Sequence, residues 1–109
     1  GFTWTVVNTS SVNMVGMNGY IVDDAGLVTL TLPATANVGD ILIIVGMSAS
    51  GWTIAQNGGQ VIHLSSSDTT VGAGGSISST DRRDCIQLVC NVLDTEFTAT
   101  SLVGNLTVV

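Results

Sequence analysis

Apolar and polar residues alternate along several short stretches of this chain, a pattern typical of β-strands with one buried face. The clearest example runs from Leu27 to Leu32, where Val28, Leu30 and Leu32 are separated by threonines. No stretch shows helical periodicity over the roughly ten residues that a helix needs. We therefore expect one all-β domain over residues 1–109, an antiparallel sandwich or a jelly-roll-like fold. The expected strands are Trp4 to Val7, Tyr20 to Val22, Leu27 to Leu32, Asp40 to Gly46, Arg83 to Val92, Thr95 to Thr100 and Leu102 to Val108, with a weaker one at Val12 to Val15.

The stretch GWTIAQNGGQVIHL, from Gly51 to Leu64, carries the strongest turn signal. A three-residue loop of Asn57, Gly58 and Gly59 predicts a hairpin, because these residues tolerate the dihedral angles of a tight turn. One face of that hairpin is apolar and is closed at the tip by two glutamines. The expected register pairs Gln56 with Gln60, Ile54 with Ile62 and Trp52 with Leu64.

The stretch from Asp40 to Gly46 differs from the others because its apolar residues are consecutive. The run from Ile41 to Val45 places apolar side chains on both faces of a strand, which is typical of a strand covered on each side. A small antiparallel sheet normally leaves one face in water. Two arrangements therefore stay open: two sheets enclose this strand, or its outer face meets a neighbouring chain.

The composition favours burial of surface between chains. Hydrophobic residues make up 45% of the 109 residues and charged residues only 9%, and the two basic residues are both arginines. The longest uncharged apolar run, Ile41 to Val45, is too short to cross a bilayer of about 30 Å. Exposed sheets normally use charge, especially lysine, to avoid edge-to-edge aggregation. We therefore expect an oligomer without insertion into a membrane.

The net charge argues against nucleic acid as a partner, and the cysteines indicate the redox state of the compartment in which the protein folds. The net charge is -6 and the only cations are the neighbours Arg82 and Arg83, so a phosphate backbone would be repelled and nucleic acid is not expected as a partner. Cys85 and Cys90 fall on opposite faces of one predicted strand and cannot bond to each other there. Free thiols, with Cys90 in the core, are typical of a protein that folds in a reducing cytoplasm.

Residues that carry catalysis or bind metals are scarce. His63 is the only histidine and no nucleophile motif accompanies it, so we expect a hydrogen-bonded or half-exposed strand residue. A single histidine with divergent cysteines offers no metal-ligand spacing. Asp23 and Asp24 are expected in a solvated turn rather than at a calcium ion. We expect no catalytic residue, metal or cofactor.

Two features stand out as candidates for ligand binding. In Asp81-Arg82-Arg83-Asp84 both cations lie between two acids, which predicts a salt-bridged corner or an arginine fork for a carboxylate on a sugar or protein receptor. Trp52 could stack on a sugar, although its expected partner in the hairpin favours core packing. The polar stretch Ser65 to Thr80 is expected to be a long surface loop with one short strand at most. The candidate binding residues are Arg82, Arg83, Asp84, Trp52 and Asn57.

The chain from Tyr20 to Leu106 resembles the small terminal β domains of phage tail fibres and related viral or prophage-derived fibrous proteins. The likeness is carried by GYIVDDAGLVTLTLPATANVGD, GWTIAQNGGQVIH, VGAGGSISST, DRRDCIQLVC and GNLTVV. The resemblance implies a homotrimer at the end of a fibre, on a virion or fibre surface, with no catalytic residues. Because the chain begins with Gly1, we also expect it to be the terminal part of a longer fibrous protein.

Three functions follow as hypotheses. The first is a fibre tip that attaches to a host-surface glycan or protein receptor. The second is an assembly clamp that registers and caps a fibre or collagen-like stalk without binding a ligand. The third is a glycan hydrolase that uses Asp23, Asp24 or Asp84 as paired carboxylates, although none of these acids has the apolar surroundings that raise a pKa for acid catalysis.

Overall fold

The computed structural model describes residues 1–109 and contains twelve β-strands and no helix, which confirms the all-β prediction. The structure therefore has no helix that is long and apolar enough to cross a lipid bilayer. The strands are β1 (Thr3–Val7), β2 (Ser11–Asn13), β3 (Asn18–Val22), β4 (Val28–Thr31), β5 (Ile41–Gly46), β6 (Trp52–Ala55), β7 (Val61–Leu64), β8 (Ser67–Asp68), β9 (Ser76–Ser78), β10 (Cys85–Val92), β11 (Glu96–Val103) and β12 (Thr107–Val108).

The strands form two sheets that share one core. The seven-stranded sheet has the order β1-β3-β5-β10-β11-β7-β8, and the five-stranded sheet has the order β12-β9-β6-β4-β2. Side chains from both sheets meet in a single cluster of 18 buried residues, in which Trp52 and Phe97 are the largest fully buried side chains. Val28, Leu30 and Leu32 belong to this core, as their alternation with threonines predicts.

The chain winds back and forth between the two sheets. From β1 to β7 each strand lies in the sheet opposite to that of the strand before it. As a result β1, β3 and β5 are parallel neighbours in one sheet, and β2, β4 and β6 are parallel neighbours in the other. Five of the ten strand pairs are parallel, so both sheets are mixed and the expectation of antiparallel sheets is wrong, although two sheets do pack on one core. A strand that returns after one full turn of a coil runs in the same direction as its predecessor.

The predicted hairpin from Gly51 to Leu64 is also wrong. The turn forms, with the Gln60 amide N–H donating to the Asn57 carbonyl, but it joins strands of different sheets. Strand β6 pairs with β4 and β9, whereas β7 pairs with β11 and β8. Ile54 and Ile62 are therefore both fully buried in the core between the sheets rather than side by side within one.

Two glutamines close the core at this turn. The Gln56 side-chain amide donates to the carbonyls of Gln60, Thr70 and Gly72 at 2.8 to 2.9 Å. The Gln60 side-chain amide donates to the carbonyls of Pro33 and Asp94. Buried amides are stable only when they are hydrogen-bonded, so this network holds four separate segments of backbone together.

The structure also refines two other expectations. Val92, predicted on the core side of β10, is 42% exposed because the pairing with β11 shifts register between Cys90 and Val92. The polar stretch after β7 holds two short strands, and Ile77 in β9 is fully buried.

Cys85 and Cys90 are both free thiols on opposite faces of β10, as predicted. Burial raises the pKa of the Cys90 thiol.

Candidate functional site

The outer face of the seven-stranded sheet is apolar at one level across five adjacent strands, whereas the next level carries the polar Gln87 on β10 and Ser101 on β11. At one level of the sheet the outward side chains of β1, β3, β5, β10 and β11 form what we call the apolar row. Its members are Val6, Ile21, Val45, Cys85 and Val103. Together with Trp4, Ile41, Ile43 and Val89, which also point outward, the row forms the apolar face.

Only one side of β5 is covered by the rest of the chain. Leu42 and Ile44 are buried in the core, whereas Ile41, Ile43 and Val45 are only partly buried on the outer side. The second sheet covers the inner side alone, and no other element packs over the outer side. Of the two arrangements that the sequence leaves open, enclosure of this strand within one chain is therefore excluded.

Trp4 provides the largest side chain of the apolar face. It lies in the edge strand β1, is 49% exposed, and contacts the ring of Phe2 edge to face with centroids 5.6 Å apart. Its indole lies over Gly19, its partner in β3. A β-carbon on residue 19 would lie 2.5 Å from Cζ3 and 2.7 Å from Cδ2 of the indole. The absence of a side chain at Gly19 is what lets the ring lie against the sheet.

The corner before β10 contains both arginines of the chain. Arg82 and Arg83 are exposed, and both ion pairs of the molecule belong to His63 instead. The salt-bridged corner expected from the sequence therefore does not form within the chain. Arg83 has a positive φ of 69°, which an ordinary side chain adopts only in a tight turn. The two guanidinium groups project from this turn without a carboxylate partner.

Three of the five predicted binding residues, Asp84, Trp52 and Asn57, serve the fold. Asp84 is buried, and its Oδ2 accepts hydrogen bonds from the backbone N–H groups of Thr80 and Asp81 at 2.8 and 3.1 Å. Trp52 is fully buried, as core packing predicts, which leaves its ring no face for a sugar. The side chain of Asn57 donates to the Leu32 carbonyl at 2.9 Å. Only the two arginines present free polar groups to a ligand.

His63 in β7 lies between two carboxylates, next to the edge strand β8 of the seven-stranded sheet. Its Nδ1 is 2.6 Å from Asp68 Oδ1 and its Nε2 is 2.7 Å from Glu96 Oε1. These hydrogen bonds, first to Asp68 and then to Glu96, raise the pKa of the imidazole above its usual value of 6.5. The prediction of a hydrogen-bonded, half-exposed strand histidine is confirmed, and the charged form bridges β8, β7 and β11.

The sequence pattern predicts part of the apolar face, but it does not predict the contacts of His63 with Asp68 and Glu96. The consecutive apolar residues from Ile41 to Val45 were a signal for an uncovered outer face, but Trp4 and Val6 carried none. Asp68 and Glu96 are five and 33 positions from His63, and they come together because β7 pairs with β8 on one side and with β11 on the other. No group of three or more His, Cys, Asp or Glu side chains is arranged to hold a metal ion.

Neither a protein-family model nor a curated protein sequence matches this chain. Its function therefore has to be argued from the geometry of its surfaces.

Proposed function

We propose that this domain is a non-enzymatic assembly module that associates with copies of itself through the apolar face, at the end of a fibre on a virion or related surface. The observation that carries the proposal is the apolar row, in which five adjacent strands present only apolar side chains at one level. Sheet faces in contact with water normally carry polar side chains. Contiguous apolar patches on soluble proteins usually mark interaction sites.

The size of the apolar face supports contact with another protein surface. Five strands about 4.8 Å apart, over four residues of about 3.3 Å rise, span roughly 20 by 13 Å between backbone positions. With the side chains at its margins, and with Gln87 and Ser101 inside its outline, this area is about 400 Å², within the range of the largest patches on single proteins. Two such faces bury about 800 Å², so the flanking loops have to contribute for a stable interface of about 1,200 Å² or more.

The distribution of charge favours a second copy as the occupant. Each chain carries a net charge of -6, but no ionisable side chain other than Cys85 lies on the apolar face. Two copies can therefore approach through this face without placing like charges in contact. Repulsion between the remaining acids acts at longer range and is screened by salt. Association should accordingly strengthen as the salt concentration rises.

We propose three copies in the assembly. The support for that number is the resemblance of Tyr20 to Leu106 to the terminal domains of trimeric fibres, since an apolar face alone is compatible with other closed rings. Around a threefold axis each apolar face would pack partly against each neighbour. The assembly-clamp hypothesis is thus favoured over attachment, because the feature that supports it is an extended surface rather than a pair of side chains.

The experiment that tests this function is a measurement of mass in solution. Sedimentation equilibrium of the wild-type protein should give an oligomer, and Val45→Lys in the centre of the apolar row should give a monomer that keeps its β-sheet circular dichroism. Thr31→Lys is the matched control, because it places the same charge on an inner strand of the other sheet, at a half-buried position. A monomeric wild type, or an oligomer that withstands Val45→Lys, would rule the proposal out.

Attachment to a host-surface receptor is the second candidate function, and the unpaired arginines favour it. Arg82 and Arg83 present planar forks that match a carboxylate on an acidic sugar or a protein. An array of carboxylate-bearing glycans should retain the wild-type oligomer and lose the variant Arg82→Gln/Arg83→Gln. The variant must keep the wild-type mass in solution, so that a loss of retention reports on binding alone. Equal retention of both proteins would exclude this role for the arginines.

A further inference from the structure

A pocket opens on the apolar face between β10 and β11, and we call it the β10–β11 pocket. It is the only pocket of the molecule, its volume is about 110 Å³, and five of its seven lining residues are hydrophobic, among them Ile43, Cys85 and Val103. The pairing of β10 with β11 shifts register beside it, between Gln87 and Leu88, and such a bulge bends a strand locally. A buried cavity of about 150 Å³ holds a benzene molecule, so a pocket of this size is suited to one apolar side chain or ring.

Trp4 lies at the same level of the sheet as this pocket, but on its other side. The register runs from Trp4 through Gly19 and Ile43 to Gln87, which lines the pocket. Three strand separations of about 4.8 Å place β1 about 14 Å from β10, farther than an indole extends. Trp4 therefore cannot fill the pocket of its own chain, and only a second copy can bring a Trp4 to it.

The indole of Trp4 and the pocket also match in their polar groups. Trp4 is 49% exposed, and its Nε1–H makes no hydrogen bond within the chain, in contrast to that of Trp52. The side chains of Gln87 and Ser101 line the pocket and make no hydrogen bond within the chain either. A buried tryptophan normally donates from its N–H, and both of these side chains carry an oxygen that accepts. The pocket thus offers apolar walls for the ring and an acceptor for its single donor.

Unpaired charges of opposite sign flank the two sides of the apolar face. Arg82 and Arg83 precede β10, on the side of the pocket, and neither has a carboxylate partner. Asp23 follows β3, on the side of Trp4, is exposed and belongs to no ion pair. Both charges lie at the same end of the sheet, because β3 ends where the antiparallel β10 begins. Contact between unlike sides of two copies therefore brings opposite charges together, which favours it over contact between like sides.

We infer that the β10–β11 pocket of one copy receives the indole of Trp4 from a neighbouring copy. The inference rests on the proposed function and names the contact that anchors the assembly. Each copy gives its Trp4 to one neighbour and receives that of another, so the contact is heterologous and a closed ring satisfies every pocket.

Self-association of variants on the two sides of the contact tests the inference. Trp4→Ala should weaken association about ten-fold or more because it removes the anchor, and Ser101→Phe should weaken it about as much because it fills the pocket. The double variant should associate no more weakly than either single variant, since both changes remove the same contact. Val6→Ala is the matched control, because Val6 is exposed in the same strand and on the same face, and it should change association less than about three-fold. Sedimentation equilibrium measures the dissociation constants.

Acrylamide quenching of tryptophan fluorescence is a second measurement of the contact. Trp52 is fully buried, so Trp4 is the tryptophan that acrylamide reaches in a dissociated chain. Quenching should fall as the wild type associates, and it should not fall in Ser101→Phe, whose pocket is already filled.

The outcomes separate this inference from the assembly function. A monomeric wild type would overturn both. An oligomer that Val45→Lys dissociates but that Trp4→Ala leaves unchanged would overturn the inference alone. Losses that add up in Trp4→Ala/Ser101→Phe would overturn it too, because they would come from two separate contacts, and so would quenching that stays constant as the wild type associates.

Discussion

The indole N–H of Trp52 donates a hydrogen bond of 3.0 Å to the backbone carbonyl of Asp84, across the interior of the domain. Trp52 lies in the five-stranded sheet, and Asp84 directly precedes β10 of the seven-stranded sheet. The same carbonyl accepts the backbone N–H of Gly46 at the end of β5. One carbonyl therefore fixes the position of the largest core side chain relative to two strands of the opposite sheet.

The first prediction concerns this contact. Trp52→Ala should lower the free energy of unfolding by about 3–5 kcal/mol, because it removes a fully buried ring and leaves a cavity. Trp52→Phe should cost less, about 1–3 kcal/mol, because it keeps a ring but leaves the Asp84 carbonyl with one donor fewer. Urea unfolding of both variants measures these losses. Equal losses for the two variants would show that the hydrogen bond, and not the volume of the ring, determines the stability.

The second prediction concerns the buried glutamine at the turn between β6 and β7. Gln56→Leu should cost about 2–4 kcal/mol, because three carbonyls, in one buried and two partly buried hydrogen bonds, lose their shared donor while the volume of the side chain changes little. Gln87→Leu is the matched control, since this glutamine lies on the outer side of β10. The control should not lower stability in chemical denaturation at the same protein concentration. A similar loss in both variants would contradict the role given to the Gln56 network.

The third prediction concerns the pH dependence of the bridge between Asp68 and Glu96. The pKa of His63 is raised in the folded protein, so its stabilising effect is complete below the unfolded value of 6.5 and is lost as the pH rises through the folded value. The stability difference between the wild type and His63→Gln should therefore be larger at about pH 5.5 than at about pH 8.5. Denaturant unfolding at both pH values measures it. A difference that is constant, or that grows with pH, would contradict the bridge.

The fourth prediction concerns the place of Trp4 on the apolar face. Gly19→Ala should displace the indole, because the added β-carbon meets ring atoms, and should weaken self-association about ten-fold if Trp4 anchors the contact. Gly74→Ala is the matched control, since a β-carbon there meets nothing within 4 Å and no positive φ is needed. Sedimentation equilibrium should give a dissociation constant for self-association that is about ten-fold larger for Gly19→Ala than for Gly74→Ala. Unchanged association of Gly19→Ala would remove Trp4 from the interface.

The sequence predicts which side chains are buried better than it predicts which strands are neighbours. A hairpin and a turn between two sheets both bury Ile54 and Ile62 and both need Asn57 and Gly59 at the bend. Alternation of apolar residues is the same in either case, so the error could not be detected from the pattern. The parallel pairs cannot be predicted from the pattern for a similar reason, because four of the five join strands that are separated by a complete turn of the coil.

The surfaces follow the same rule. The consecutive apolar residues of β5 indicate an uncovered outer face, but the apolar row can be recognised only once the register of five strands is known. The two arginines were correctly singled out as the only cations, while their lack of an acidic partner depends on the turn that buries Asp84. The sequence therefore shows which side chains are available, but it does not show which residues far apart in the chain come into contact.

The alternation of β1 to β6 between the sheets leaves both sheets open at the end where the coil begins. Strands β1 and β2 are edge strands, and each has one row of backbone N–H and C=O groups without a strand beside it. Neither strand contains a proline or a charged residue that would block such pairing. A further strand from any source could dock at either edge by backbone pairing alone, because nothing in the geometry of the fold closes these two edges.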